Sequence, residues 1–408
     1  MPLAPRLLTA DQVAGSIRVL NLPDGRVTGV VEGRHLAEHA GFLALPGGRW
    51  AFVDDLAGEL VVLDPYGPDA GRPLVAATAP VATPAEHLAA DASGRRLAVT
   101  TGLGRNREPW SDLLTTVDLD RGRSVRVRTR AGEPGVTVMC GSGGPLVVLR
   151  HREPGTLTTY RYDDLQDAAP AAPPAVPAYE TELPDHDGHG DAYDRLTGRL
   201  FAAASSGVHR ARRDGDRLLT EEPIPWAGPG RGYYLRLDPV RRTLWSCVRG
   251  GPTDPGRWPE WTNDAWFHTL DEGRTGRLPL GPGLVFRLAV AAHHVAYARV
   301  HPDGDELILL TAALPGGGPR VGARHPLPPM DGAPRPGGTP WDGVQRRAVA
   351  SSPGAPFTAV TRGGHGEVHL FDGTGQVATL TVPTPLDDGG HLALTAPGDR
   401  AWEDPVGR

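Results

Sequence analysis

The chain has 408 residues, a formal net charge of -6 and 22% charged residues of both signs. That mixed, slightly acidic surface argues against a nucleic-acid partner, and no apolar run approaches the roughly 20 residues that cross a bilayer. Every basic residue apart from histidine is arginine, 42 in all, so lysine Schiff-base chemistry and a phosphate-loop lysine are excluded. The same arginine count, with abundant Ala, Gly and Pro, fits a GC-rich coding bias. The first 15 residues lack the apolar core of a secretory signal, which predicts a cytoplasmic protein. Cys140 and Cys247 fall within apolar strand patterns and are expected to be small buried hydrophobes rather than a disulfide.

Along the chain, short apolar strands alternate with turns rich in Gly, Pro and Asp. Two strands, 16–21 and 26–31, come first. A repeat then opens at His39, with later strands at 50–54, 59–64 and 73–78. The second runs from His87 to Arg130. The third starts near Val136 and includes 146–151 and 157–162; a Pro/Ala-rich extended segment, 168–177, follows it. The fourth runs from His189 to Ile224. The fifth opens at Tyr233, the sixth near Phe286 and the seventh near Val344. An eighth opens at His391 and is cut off after two strands.

Repeats of roughly 40–50 residues built from short strands predict an all-β chain forming one β-propeller over residues 1–408. The count gives eight four-stranded blades, with seven as the alternative because the third repeat is the weakest. The N-terminal strands 16–31 are expected to pair with 391–404 and close the last blade, leaving no free sheet edge. Lines such as Asp194-Arg195-Leu196-Thr197-Gly198-Arg199-Leu200-Phe201 resemble those of the YVTN, lactonase-like and SMP-30-like propellers. The resemblance implies a fold and leaves the activity open.

A histidine recurs at the start of four repeats: His39, His87, His189 and His391. In a propeller the first strand of each blade lines the central channel, so the spacing places these four around one axis at one face. Converging imidazoles suit a transition metal such as Fe, Cu or Zn. Glu38 and Glu86 precede two of them and are expected to orient the rings. The cluster Asp185-His186-Asp187-Gly188-His189-Gly190-Asp191 resembles a calcium loop, but His189 stands where an oxygen ligand should, so calcium is the weaker expectation.

The long loops between second and third strands, 102–112 and 250–264, emerge on the same face. Their Arg105, Trp110, Trp258, Trp261 and Asp264, with Arg287 at the start of the sixth blade, are expected to wall a flat or anionic substrate. His189, Glu86 and Tyr233 are the expected catalytic groups. No Gly-x-Ser-x-Gly, His-Glu-x-x-His or dinucleotide fingerprint is present. These residues point to a small-molecule enzyme, a metal-dependent oxidoreductase or lyase, at the top of the channel. The alternative is a non-catalytic platform that binds a protein or glycan through the same Trp/Arg face.

Overall fold

A computed structural model describes residues 3–68, 71–102, 110–132, 134–169, 174–185, 188–311 and 318–397. It is an eight-bladed β-propeller: eight antiparallel sheets follow one another, and the closing sheet joins the two ends of the chain. We number the blades in chain order. Blade 1 contains Leu43–Leu45, Arg49–Asp54, Glu59–Asp64 and Leu74–Pro80. Blade 2 runs over 85–129, blade 3 over 135–182, blade 4 over 191–225, blade 5 over 231–282, blade 6 over 284–327 and blade 7 over 349–381. In blade 8, His391–Thr395 is innermost, followed outward by Arg6–Asp11, Ser16–Asn21 and Val27–Glu32.

Closure differs in one respect from the sequence expectation. Three N-terminal strands enter blade 8, and the one that pairs with His391–Thr395 is Arg6–Asp11, with Ala10 opposite His391. Strand Ser16–Asn21 lies one step further out, paired to Arg6–Asp11. Strand 6–11 escapes a period-2 reading because both its faces are buried, so it shows no alternation of apolar and polar residues. The third blade, weakest in sequence, is complete, its outer strand Tyr179–Glu182 following the proline-rich segment.

Apolar residues are divided among interfaces instead of gathering at one centre. One cluster joins Leu45, Val53 and Val62 of blade 1 to Ala85, Leu97 and Val99 of blade 2. Another joins Val148 and Leu157 of blade 3 to Leu200 and Ala211 of blade 4. A third joins Phe201 and Val208 of blade 4 to Leu244 and Trp266 of blade 5. This explains why middle strands such as Leu146–His151 are buried throughout, while the outer strand Leu74–Pro80 alternates between exposed and half-buried. Each blade is packed on both faces, so the ring holds its inner strands rigidly around the axis.

Candidate functional site: the top of the axial channel

The inner strands deliver their first residues to one rim, together with the loops that enter each blade and those between second and third strands. Blade 5 departs from the pattern in a way that shapes the site. Its inner strand is broken into Arg231–Gly232 and Arg236–Asp238, and Tyr233, Tyr234 and Leu235 lie between the two ladders. The chain entering blade 4 is pressed against that break. A Cβ at Gly190 would lie 2.4 Å from the Tyr233 carbonyl oxygen, so only glycine fits. The neighbouring His189 is thereby set against two phenol rings, 5.8 Å from Tyr233 and 6.0 Å from Tyr234 between ring centroids.

The four repeat histidines take different environments. His39 lies in the turn before blade 1, with its side chain 66% exposed, and its Nδ1 is 2.8 Å from Glu86 Oε2. His87 lies on the inner strand of blade 2. Burial and then the charge of Arg150 hold it below the ordinary imidazole range. Burial, Arg150 and Arg152 push His189 down to about 4. His391 opens the inner strand of blade 8, 3.5 Å by Nδ1 from Arg287 Nη1, and burial, Arg287 and Arg346 hold it well below its usual value. Burial alone would raise the Glu86 carboxyl, but the hydrogen bond with His39 and the charges of His39, His87 and His189 keep it below the usual range. These groups therefore feel one another across the axis, and His87, His189 and His391 are neutral at neutral pH.

No metal centre is shown among the described residues. Among the described residues no three His, Cys, Asp or Glu stand close enough together to hold a metal ion. Arginine guanidiniums and the carboxylates of Glu86 and Asp191 both act on these imidazoles. The calcium expectation fares no better. Asp191 is held by Arg150, Oδ1 to Nε 2.6 Å, and Asp185 Oδ2 accepts the Ser206 amide at 2.8 Å; His186 and Asp187 lie outside the described residues.

The opposite side of the channel is cationic and aromatic. Tyr234 stands among Arg287, Arg236, Arg346 and Arg249, and burial raises its phenol against the pull of these four charges. Arg346 pairs with Glu38, Nη1 to Oε1 2.6 Å. Arg249 lies over the rings of Tyr233 at 4.5 Å and Trp261 at 4.1 Å. Arg236 and Arg287 have no carboxylate partner among the described residues. Arg236 is exposed and Arg287 is half-buried. Desolvation lowers the pKa of each, opposed by Tyr234 at both and by the Glu38 carboxylate at Arg287.

The expected substrate wall is only partly formed. Trp258 is fully buried, its Nε1 donating to the Arg335 carbonyl at 3.3 Å, so it supports the loop and touches no ligand. Trp261 is also buried, bonded by Nε1 to the Pro252 carbonyl at 2.8 Å and stacked on Trp341 at 5.9 Å. Asp264 lies on a strand of blade 5, neutralised by Arg277 at 2.6 Å. Trp110 is half-buried at the entry to a strand of blade 2. Arg105 lies outside the described residues.

Five channel residues were missing from the sequence-based site: Tyr234, Arg236, Arg249, Arg346 and Trp341. A signal for one of them was present. Arg236, like the expected Arg287, is an arginine on an inner strand.

The sequence matches no described protein family and no curated relative. Its shape is widely shared. Apo AztD from Citrobacter koseri superposes with a TM-score of 0.65 over 96% of this chain and 98% of its own, at 11% identity. The dihydro-heme d1 dehydrogenase NirN, in complex with DHE, gives 0.60 over 98% of this chain and 76% of its own, at 12% identity. A putative 6-phosphogluconolactonase from Bacteroides uniformis gives 0.50 over 96% and 99%, at 10% identity. At such identities the likeness is one of fold, and the resemblance to lactonase-like propellers holds at that level. No helix among the described residues is long and apolar enough to cross a membrane.

Proposed function

We propose that this propeller binds a small anionic molecule at the top of its axial channel and acts on it with the help of its neutral imidazoles. The observation that carries the reading is the pair Arg236 and Arg287, turned into the channel without carboxylate partners. An arginine whose donors no carboxylate takes up is available to an anion, and such charge-assisted contacts are stronger than neutral ones. Arg287 also touches His391, and His189 stands beside Tyr234 in the same cationic field. A bound negative charge would raise these imidazoles toward neutrality, so the ligand would recruit a proton to the groups that face it. His189 would then serve as general acid beside Tyr233 and Tyr234, with Glu86 across the channel setting the charge balance. Solved propellers of similar shape include one described as a dehydrogenase and one as a putative lactonase, which is in keeping with an enzymatic use of the fold.

The test is calorimetric titration of the full chain with inorganic phosphate and simple carboxylates, in buffers of differing ionisation enthalpy. The reading expects saturable binding with proton uptake near pH 6. It also expects at least roughly tenfold weaker binding in Arg236→Met/Arg287→Met, as for loss of charge-assisted contacts. Anions that fail to bind, or that bind the double variant equally well, would overturn it.

A further inference from the structure

We infer that the anion carries two negative charges on a single phosphate-type head, and that Arg249 of blade 5 joins Arg287 of blade 6 in holding it. This rests on the anion-binding reading and specifies its ligand class.

A guanidinium can be held by a carboxylate or by an aromatic face, and the two leave different chemistry behind. A carboxylate takes up the N–H fork and answers its charge. A ring attracts the charge through its π face and leaves the N–H groups free. Arg249 is held in the second way. Its Cζ lies 4.5 Å from the ring centroid of Tyr233, 4.1 Å from that of Trp261 and 5.6 Å from that of Trp341. It forms no hydrogen bond or ion pair among the described residues. Arg287 lies over Phe286 at 5.7 Å, and its one hydrogen-bonding contact among the described residues is with His391. Both arginines are half-buried, so a molecule in the channel can reach them.

The rings that hold them are continuous. Trp261 stacks on Trp341 at 5.9 Å, Trp341 meets Phe286 at 5.4 Å, and Phe286 meets Tyr234 edge-on at 5.2 Å. Tyr234 thus adjoins both the ring that carries Arg287 and, along the chain, the ring that carries Arg249. Its half-buried phenol feels the charges of Arg287, Arg236, Arg346 and Arg249, and its hydroxyl makes no hydrogen bond among the described residues. Of these four arginines only Arg346 is bonded to a carboxylate among the described residues, that of Glu38. One negative charge would leave most of this field unanswered, and two match the pair held by rings. The two forks come from different blades with a hydroxyl donor near both. Donors arriving from several directions suit the oxygens of a tetrahedral head better than a planar carboxylate, which one fork already satisfies.

The experiment is calorimetric titration of the full chain at low salt with methyl phosphate, methyl sulfate, malonate and acetate, at about pH 7.5, where the phosphate has lost its second proton. Methyl sulfate matches methyl phosphate in shape but carries one charge, and malonate carries two charges on separate heads. Methyl phosphate should bind at least roughly tenfold more tightly than the other three. Arg249→Met should weaken methyl phosphate at least roughly tenfold and remove most of its advantage over methyl sulfate. Tyr234→Phe keeps the ring and removes only the hydroxyl; it should weaken methyl phosphate about tenfold, as for a lost hydrogen bond to a charged group. If Arg249→Met fails to fold, Tyr234→Phe decides. Methyl sulfate, malonate or acetate binding as tightly as methyl phosphate, or variants that bind methyl phosphate like the wild type, would overturn the doubly charged head and leave the anion site standing. If none of the four anions binds, both readings fall together.

Discussion

The interior of the blades and the wall of the axial channel use the same residue types in opposite ways. Inside the blades, three buried imidazoles each have one ring nitrogen bonded to a threonine, although His151 Nδ1 and His294 Nδ1 have no partner. His151 meets Thr158 Oγ1 at 3.0 Å, His268 meets Thr275 Oγ1 at 2.8 Å and His294 meets Thr358 Oγ1 at 2.7 Å. Arg347, with its side chain 1% exposed, is bonded to Asp305 and to the Thr361 carbonyl. Arg242 grips Asp194 with both terminal nitrogens, at 2.5 and 2.9 Å. Along the axis, Arg236 and Arg287 have no such partners, and His189 is open to solvent. The chain that pairs these two arginines inside its blades leaves Arg236 and Arg287 without a carboxylate partner among the described residues. Paired polar groups within the blades hold structure together, and arginine donors left without a carboxylate on a rigid scaffold are available to a ligand.

The largest effect expected from this contrast is on acid stability. Burial pushes His151, His268 and His294 down to about 4. In the unfolded chain each takes up a proton near pH 6.5, whereas in the folded protein it does so only near 4. Stability is therefore full above about 6.5 and is lost as pH falls toward 4, by about 1.4 kcal/mol per pH unit for each imidazole. Urea midpoints measured from pH 7.5 to 4.5 should fall steeply below 6.5; a flat profile there would show that these rings are not held neutral.

Next in size is Arg347→Met. It strands Asp305 in the blade 6–7 interface without its cation, and should cost about 3–5 kcal/mol in urea denaturation at unchanged m-value. The matching change in the channel, Arg287→Met, should leave the midpoint within about 0.5 kcal/mol of wild type or raise it, because it removes an uncompensated charge. A large loss of stability in Arg287→Met would erase the distinction between the two regions. Smallest is His39→Ala at the exposed rim, expected within about 0.5 kcal/mol of wild type. Its signature is instead the Glu86 carboxyl, which should titrate higher once its hydrogen-bond partner is gone, as read by NMR of the side-chain carbon.

Much of the fold could be read directly because a propeller blade is a local object. The turn Asp194-Arg195-Leu196-Thr197-Gly198 closes on itself, Gly198 N donating to the Asp194 carbonyl at 2.9 Å, and it sets the register of its two strands with no help from the rest of the chain. The strand 6–11 was illegible because full burial removed its alternation. The site was legible only in outline. Repeat position placed His87 and His391 on inner strands and His189 just before one, and nothing in the spacing said that arginines would stand beside them. Trp258 and Trp261 looked like a ligand wall because loop tryptophans are large and flat; in the folded protein they are the packing that holds the loop down.

The residues by themselves determined the blade, its turns, the repeat number and the closure of one end of the chain on the other. Those features follow from hydrogen bonding and burial over distances of a few residues, copied eight times. Only the closed ring decided which charges meet. Arg150 finds Asp191 across 41 positions, and Arg346 finds Glu38 across 308. Arg236 and Arg287 form no ion pair among the described residues, although Glu38 lies near enough to Arg287 to act on its charge. Pairing of charge is a property of three-dimensional neighbourhood, since Coulomb attraction and desolvation act through space and take no account of sequence separation.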